Sequence, residues 1–227
     1  MPFKAVLTDI EGTIASVAFV KDVMFPFARA RLREFLDAHG AEDKVAALLA
    51  ETRTLGGLAV DAPLAEVAAT LEDWIDADRK APPLKALQGL IWRSGFENGA
   101  LVAELYPDAL AALRAWQEMG LPIHVYSSGS VEAQDLFFGH TTGGDLRPLF
   151  SGFYDTRTGP KDDPQSYKAI AAIMGFFPAD ILFLTDSVAE MRAAKDAGMQ
   201  VLGVDRDKAG TKAPEGVRVV ADFSGLI

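Results

Sequence analysis

The 227-residue sequence contains no cysteine, and this absence excludes several kinds of chemistry. Without thiols the chain can form neither disulfides nor zinc–thiolate sites, and it has no cysteine nucleophile. This composition is compatible with a reducing compartment, and we expect a cytoplasmic protein. The three histidines, His39, His124 and His140, are scattered without the spacing of metal ligands, so no histidine site is expected.

Long apolar runs and basic tracts are also missing. No stretch approaches the ~18 to 20 apolar residues of a membrane span, and the N-terminus lacks the pattern of a secretory signal. We therefore expect no membrane contact. The net charge is −10, which disfavours nucleic acid as a partner because such binding needs a cationic face. An acidic protein that handles phosphate must neutralise it locally, with Mg²⁺, a buried lysine and backbone N–H groups.

Short apolar runs alternate with helical patterns through much of the chain. We predict strands near residues 6–7, 122–126, 153–154, 181–184, 201–204 and 217–220, the last at an edge. Strands that alternate with helices indicate a parallel sheet with right-handed crossovers. The fold class is therefore α/β, with a Rossmann-like parallel-sheet core.

One long segment after the first strand lacks this alternation. Its apolar residues recur at helical spacing, with a kink or a restart expected at Pro26. We predict a catalytic core formed by residues 1–16 and 99–227, and an inserted all-helical cap over 17–98. A helical block beside a strand end is well placed to act as a lid. The alternative is that it merely extends the core.

The strongest local signal is a pair of acidic residues after the first strand. Asp9 and Glu11 follow the apolar residues Val6 and Leu7, and Gly12 then allows a tight turn. Ligands bind at the carboxyl ends of strands in open α/β sheets, and carboxylate oxygens suit Mg²⁺. Asp9 can attack the phosphorus of a phosphate ester, while Glu11 protonates the departing oxygen and later activates water. The alternative is a solvated acidic turn.

A serine-rich turn follows the second strand of the predicted sheet. Ser127 and Ser128 precede Gly129, and their hydroxyls and the following N–H groups can hold phosphate oxygens at a helix N-terminus. The same residue types are also common in ordinary caps and turns.

Two later positions complete the constellation. Lys161 lies in a loop before a helix, where its ammonium can neutralise phosphate charge in the transition state. Asp186 ends an apolar strand and can share a metal with Asp9, or can simply cap the next helix. Glu190 either belongs to the water shell of that metal or faces solvent.

The order of these residues resembles the haloacid dehalogenase superfamily, whose first motif is Asp-x-Asp-x-Thr or Val. Glu11 stands where the second Asp is usual. A narrower resemblance, to the enolase-phosphatase (acireductone synthase) family of methionine salvage, includes this Glu and also covers the helical segment. The matching segments are 9–13 (DIEGT), 19–28 (FVKDVMFPFA), 88–92 (QGLIW), 106–108 (YPD), 126–134 (YSSGSVEAQ), 153–156 (FYDT) and 185–191 (TDSVAEM).

The resemblance implies a monomeric, cytoplasmic, bifunctional phosphoric monoester hydrolase with one Mg²⁺ per subunit. Such an enzyme enolises 2,3-diketo-5-methylthiopentyl-1-phosphate and then removes the phosphate, which yields 1,2-dihydroxy-3-keto-5-methylthiopentene. When the residues of the family motifs are matched to this sequence, the resemblance implies that Asp9, Glu11 and Asp186 lie at the metal. It also places Ser127, Ser128 and Lys161 at the substrate.

Three points stay open at this stage. Asp9 can form a covalent aspartyl-phosphate or can mainly bind the metal. The residues do not identify the enolising base, for which Glu11 is the nearest titratable candidate. The aromatic residues Phe19, Phe25, Trp92 and Phe96 can receive a thioether tail, or can belong to the helical core.

Three other functions are compatible with parts of the pattern. One is a Mg²⁺-dependent phosphatase of another small metabolite, and another is a catalytically silent scaffold. The third is a receiver-like phospho-acceptor module, in which the acidic pair precedes the acceptor Asp on an earlier strand. Here Asp9 comes first, so the order argues against a receiver.

Overall fold

The structure, a computed structural model, describes residues 3–226. Within this range the chain forms one six-stranded sheet, in which every neighbouring pair of strands is parallel. The strands are β1 (Ala5–Thr8), β2 (Ile123–Tyr126), β3 (Gly152–Tyr154), β4 (Ile181–Thr185), β5 (Gln200–Val204) and β6 (Arg218–Val220). The predicted α/β class with a parallel sheet is confirmed.

The strand order is β3-β2-β1-β4-β5-β6. All four residues of β1 and all four of β2 are buried, as expected for parallel strands with both faces covered. Val6 of β1 pairs with Ile123 of β2 on one side and with Leu182 of β4 on the other. The chain reverses its direction across the sheet at β1 and β4, and in doubly wound folds ligands bind beyond the strand ends at such a point.

Eight α-helices are found in the described part of the chain. They are α1 (Phe25–His39), α2 (Asp43–Gly56), α3 (Leu64–Asp76), α4 (Pro82–Glu97), α5 (Pro107–Glu118), α6 (Val131–Gly139), α7 (Pro164–Met174) and α8 (Val188–Asp196). A π-helical turn, Phe19–Met24, precedes α1, which has Pro26 in its first turn. The backbone stays helical through Met24 and Phe25, so the helix changes from π to α just before Pro26 and does not restart there. A kink at Pro26, the other alternative, stays a prediction. Over residues 3–226, no helix has both the length and the apolar character of a membrane span.

The chain divides into two compact units. The sheet unit comprises the chain up to Val17 and from Val102 onward, and the helical unit comprises Ala18–Leu101. The core of the sheet unit includes Tyr126, Tyr167 and Phe183. The Tyr167 ring meets the other two edge-on, at centroid distances of 5.4 Å to Tyr126 and 5.1 Å to Phe183.

The helical unit has a hydrophobic core of its own, to which α1, α2, α3 and α4 all contribute. Two bidentate ion pairs join α1 to α3 at the surface, Arg29 with Asp76 and Arg33 with Glu72. Exposed pairs of this kind contribute only about 0–1 kcal/mol each. Apolar burial therefore provides most of the stability of this unit.

The aromatic residues considered for a thioether tail occupy different environments within the helical unit. Phe96 is fully buried and belongs to the core, as the alternative predicted. The rings of Phe25 and Trp92 meet edge-on at 5.6 Å, and Trp92 Nε1 donates a hydrogen bond to the Met24 carbonyl (2.7 Å). A pocket role for Phe19, Phe25 and Trp92 stays a prediction.

Candidate active site

Asp9 lies directly beyond the end of β1, at the centre of the sheet. Its backbone N–H donates to the Leu184 carbonyl of β4 (2.9 Å), which continues the strand pairing by one residue. Its carboxylate is buried, and Oδ1 lies 2.6 Å from Lys161 Nζ. A buried charge is costly unless it is paired. The pairing therefore accounts for the burial of both side chains.

The loop that carries Lys161 is held by two tyrosine hydroxyls. The Tyr167 hydroxyl of α7 donates to the Lys161 carbonyl (2.7 Å), and the Tyr126 hydroxyl of β2 donates to the Gly159 carbonyl (2.8 Å). Sequence reasoning assigned neither tyrosine a role, because an aromatic residue in an apolar segment predicts only core packing. The structure shows that both also position the loop.

Glu190 of α8 lies inside this cluster. Its Oε2 is 3.0 Å from Lys161 Nζ and accepts a hydrogen bond from the Thr185 hydroxyl (2.8 Å). Of the two alternatives for Glu190, the one in which it faces solvent is wrong, because the first turn of α8 directs this side chain toward Lys161. A role in the water shell of the metal stays a prediction. Burial and the charge of Asp9 raise the pKa of Glu190 to about 7, although Lys161 acts in the opposite direction.

Lys161 thus has carboxylates on two sides. Burial lowers its pKa, but the charges of Asp9 and Glu190 more than offset this effect, so the pKa of Lys161 lies above its ordinary value. The ammonium is fully protonated at neutral pH. It provides a fixed positive charge at the strand ends.

Glu11 and Ser127 meet across neighbouring strands. The Ser127 hydroxyl lies 3.4 Å from Glu11 Oε2 and accepts a hydrogen bond from the Gly129 N–H (3.1 Å). Burial and the charge of Asp9 raise the pKa of Glu11. Ser127 is fully buried, whereas the adjacent Ser128 is exposed. The structure brings Ser127 to the acidic pair, while a substrate contact for Ser128 stays a prediction.

The serine-rich turn has an anchor that sequence reasoning missed. Gln134 of α6 donates from Nε2 to the carbonyls of Gly129 (2.8 Å) and Tyr154 (2.9 Å). Gln134 lies in one of the segments that carried the family resemblance, and this was the only available signal. Its amide ties the turn after β2 to the end of β3.

Asp186 lies against the turn that follows Asp9. Its backbone N–H donates to the Thr13 hydroxyl (3.1 Å), and a Cβ on Gly12 would come within 2.2 Å of Asp186 Oδ2. Gly12 also has a φ of 74°, in the left-handed region that favours glycine. Burial and the charge of Asp9 raise the pKa of Asp186 to about 6. Only glycine at position 12 permits this close approach.

The donor set fits a hard divalent cation. Within residues 3–226, no three His, Cys, Asp or Glu side chains form a group that would hold a metal by themselves. Mg²⁺ is usually bound by one or two carboxylates together with water and substrate phosphate, so Asp9 and Asp186 are sufficient. Burial and, after it, the charge of Asp9 raise the pKa values of both Glu11 and Asp186, and a cation would relieve the repulsion from Asp9. A metal contact of the Glu11 side chain stays a prediction.

The comparisons with known proteins first identify the class to which this fold and cluster belong. The haloacid dehalogenase-like hydrolase family matches residues 3–198. The chain therefore belongs to the haloacid dehalogenase-like hydrolases, as its motif order predicted.

A narrower similarity spans the whole chain. The chain is 49% identical over 227 residues to enolase-phosphatase E1 of Pseudomonas aeruginosa (strain UCBPP-PA14), with 100% of this chain and 99% of that protein covered. It is 46% identical over 223 residues to enolase-phosphatase E1 of Aquifex aeolicus, with 98% and 96% covered. The chain belongs to the enolase-phosphatase E1 family, and the predicted resemblance is confirmed.

A solved structure is similar in fold over nearly the full length. The UTR4 protein of Saccharomyces cerevisiae is 28% identical and aligns with a TM-score of 0.81, covering 97% of this chain and 98% of that one. The similarity therefore includes both the sheet unit and the helical segment.

Proposed function

We propose that this enzyme of the enolase-phosphatase family converts 2,3-diketo-5-methylthiopentyl-1-phosphate to 1,2-dihydroxy-3-keto-5-methylthiopentene in methionine salvage. The conversion has two steps, enolisation of the diketone and hydrolysis of the phosphate ester. Family membership favours a hydrolase over the receiver-like module and the silent scaffold.

The cluster around Lys161 is the observation that carries the proposal. One buried ammonium contacts both Asp9 and Glu190 at the strand ends, at 2.6 and 3.0 Å. Lys161 holds Oδ1 of the Asp9 carboxylate and so restricts its orientation. This orientation supports attack by the second oxygen on phosphorus, while the ammonium balances the charge that develops.

In the hydrolytic step Asp9 is the proposed nucleophile and Glu11 the proposed acid and base. A bond forms between Asp9 and phosphorus while the bond from phosphorus to the ester oxygen breaks, and Glu11 donates its proton to that oxygen. A water molecule then gives a proton to Glu11 and attacks phosphorus, which releases phosphate and restores Asp9. The raised pKa of Glu11 supports this role, because it favours the protonated form that a general acid needs.

In the enolising step a proton leaves the carbon beside a carbonyl, and the carbonyl oxygen gains one. Glu11 is the candidate base, because it is the nearest titratable group. In its deprotonated form it accepts this proton, and it then holds the proton as the acid of the hydrolytic step. We propose that Ser127, whose hydroxyl lies 3.4 Å from Glu11 Oε2, orients that carboxyl and contacts the substrate. We propose a substrate contact for Ser128 as well.

Asp9 and Asp186 are the proposed ligands of one Mg²⁺ per subunit, with Glu11 beside them. When bound, Mg²⁺ neutralises charge on the phosphate and polarises a neighbouring carbonyl as a Lewis acid. Gly12 and Thr13 position Asp186, since Gly12 leaves room for its carboxylate and the Thr13 hydroxyl accepts a hydrogen bond from its backbone N–H.

The remaining proposals follow from the family resemblance. We propose a monomeric, cytoplasmic enzyme whose helical unit acts as a lid that receives the methylthio tail. Size-exclusion chromatography with light scattering tests the monomer. A dimer at micromolar concentration would contradict it.

The direct test incubates the purified protein with the diketone phosphate and Mg²⁺, and follows the ultraviolet absorbance of the enol together with phosphate release. Both signals should appear, disappear with EDTA and fail in Asp9→Asn. Asp196→Asn is the matched control, because Asp196 is exposed at the end of α8, and it should retain both signals.

Each other outcome has a definite meaning. If the protein releases phosphate from a generic ester but forms no enol from the diketone phosphate, the alternative function, a phosphatase that acts on another small metabolite, would be favoured. Full activity in Asp9→Asn would refute the assignment of the nucleophile.

A further inference from the structure

Arg206, just beyond the end of β5, is the centre of a polar cluster outside the carboxylate group. Its side chain is only 8% exposed. Nε and Nη2 donate to the Thr13 carbonyl at 3.0 and 2.8 Å, and Nη1 donates to Asp108 Oδ2 at 2.6 Å. One guanidinium thus joins a loop after β5, the turn after β1 and the first turn of α5.

Two aromatic rings and a backbone hydrogen bond fix the orientation of this guanidinium. Its Cζ lies 4.3 Å from the centroid of the Tyr106 ring and 4.7 Å from that of Phe223. Asp108 Oδ2 also accepts the Phe223 N–H (2.8 Å). A planar, weakly hydrated guanidinium can stack on rings and donate in a fork, which a lysine ammonium cannot do.

Thr13 connects this cluster to the acidic residues. Thr13 is fully buried, and its hydroxyl accepts the Asp186 N–H at 3.1 Å. The Thr13 carbonyl accepts hydrogen bonds from the Arg206 guanidinium. The preceding residue, Gly12, lies against the Asp186 carboxylate. Displacement of Thr13 would therefore move both Asp186 and the turn that carries Glu11.

We propose that Arg206 is a positioning residue, which acts through the Thr13 carbonyl to hold Asp186 and the Glu11 turn in their functional arrangement. The inference rests on the proposed function for the identity of these carboxylates as reacting and metal-binding groups. Arg206 is assigned no contact with the substrate.

The test is Arg206→Lys, which keeps the charge and loses the fork and the stacking. Residues that orient metal ligands typically change metal affinity or activity by about 10- to 100-fold when they are altered. We expect a decrease of about tenfold or more in Mg²⁺ affinity, by calorimetry without substrate. The kcat for para-nitrophenyl phosphate should fall similarly, with KM little changed.

Arg147→Lys is the matched control. Arg147 also binds carboxylates of the sheet unit, Asp145 and Asp135, but at an exposed position. This variant should keep the Mg²⁺ affinity and kcat of the unaltered protein. If Mg²⁺ affinity and kcat decrease in Arg206→Lys but not in Arg147→Lys, the cause is the lost contact between Arg206 and the Thr13 carbonyl. The loss of an arginine ion pair in general would affect both variants.

Unchanged Mg²⁺ affinity and kcat in folded Arg206→Lys would overturn the proposal, even if the melting temperature fell. If Arg206→Lys fails to fold, Asp108→Asn is the second variant. It keeps Arg206 but weakens the ion pair that holds its guanidinium against the Thr13 carbonyl. It should decrease Mg²⁺ affinity in the same direction, and unchanged affinity would again refute the inference. An unaltered protein that binds no Mg²⁺ would also overturn it. If the unaltered protein binds Mg²⁺ but yields no enol, the proposed function fails while calorimetry still decides the role of Arg206.

Discussion

The replacement Lys161→Met removes the only cation that contacts Asp9 and Glu190 within residues 3–226. Methionine has a similar length and no charge, so the change isolates electrostatics from packing. Both carboxylates would then lie in a largely buried site without a counter-charge.

The expected cost follows from the burial of the partners. The side chains of Lys161, Asp9 and Glu190 are 8%, 7% and 13% exposed, so solvent screens these pairs little. Removal of one member of a buried ion pair typically costs about 3–5 kcal/mol. We expect a decrease of that size in the free energy of unfolding at pH 8, measured in EDTA so that no cation compensates.

The cost should depend on pH with a defined sign. Folding raises the pKa of Glu190 from its ordinary value of 4.5 to about 7, chiefly through burial and the charge of Asp9. A carboxyl of this kind stabilises the fold fully below its unfolded pKa, and this contribution is lost as the pH rises through its folded pKa. Loss of Lys161 raises the folded pKa of Glu190 further. The deficit of the variant should therefore be largest above pH 7 and should narrow as the pH falls to about 5.

Urea unfolding at several pH values measures this deficit. Lys168→Met is the control, because Lys168 is exposed on α7, and it should change stability by at most about 0.5 kcal/mol. In the activity assay, loss of the positioned ammonium should decrease kcat by about 100-fold or more. Equal stability of Lys161→Met and the unaltered protein at pH 8 would refute the reasoning, and so would a deficit that grows on acidification.

Two further predictions concern the turn beside Asp186. Gly12→Ala should decrease kcat by about 100-fold, because the added Cβ displaces the Asp186 carboxylate. Gly120→Ala is the control, because Gly120 has a similar φ of 75° and no atom lies within 4 Å of an added Cβ. This variant should lose only about 1–2 kcal/mol of stability and keep the kcat of the unaltered protein. Equal kcat values in the two variants would show that the contact with Asp186 is unimportant. Separately, the pKa of Asp186 near 6 predicts that Mg²⁺ affinity, measured by calorimetry, rises as the pH increases from about 5 to 7, since a carboxylate must be deprotonated to bind metal. A flat profile would contradict the assignment of Asp186 as a ligand.

The sequence by itself determined the fold class and much of the site. Short apolar runs ending in Asp9, Ser127 and Asp186 mark strands whose carboxyl ends meet at one edge of a parallel sheet. These signals are local, because strand formation and chain reversal depend on a few adjacent residues. The helical segment could be recognised for the same reason, since its apolar spacing is a property of each helix.

Only the tertiary structure decided which side chains meet. Lys161 and Asp9 are in contact although 152 residues separate them in the sequence, and Arg206 and Thr13 are separated by 193. A local sequence pattern cannot predict contacts between residues so far apart in the chain. The same limit explains why two alternatives stayed open for Glu190, since its helical position is compatible with solvent until the loop of Lys161 is placed beside it.

Adjacent serines illustrate the physical reason on the smallest scale. In the sequence, Ser127 and Ser128 are equivalent candidates, but the backbone at the end of β2 buries Ser127 beside Glu11 and exposes Ser128. Residue type and spacing thus predicted which residues belong to the candidate site. The choice of contacting groups required the packing of β1, β2 and β4 against one another, because burial and charge pairing depend on the completed sheet.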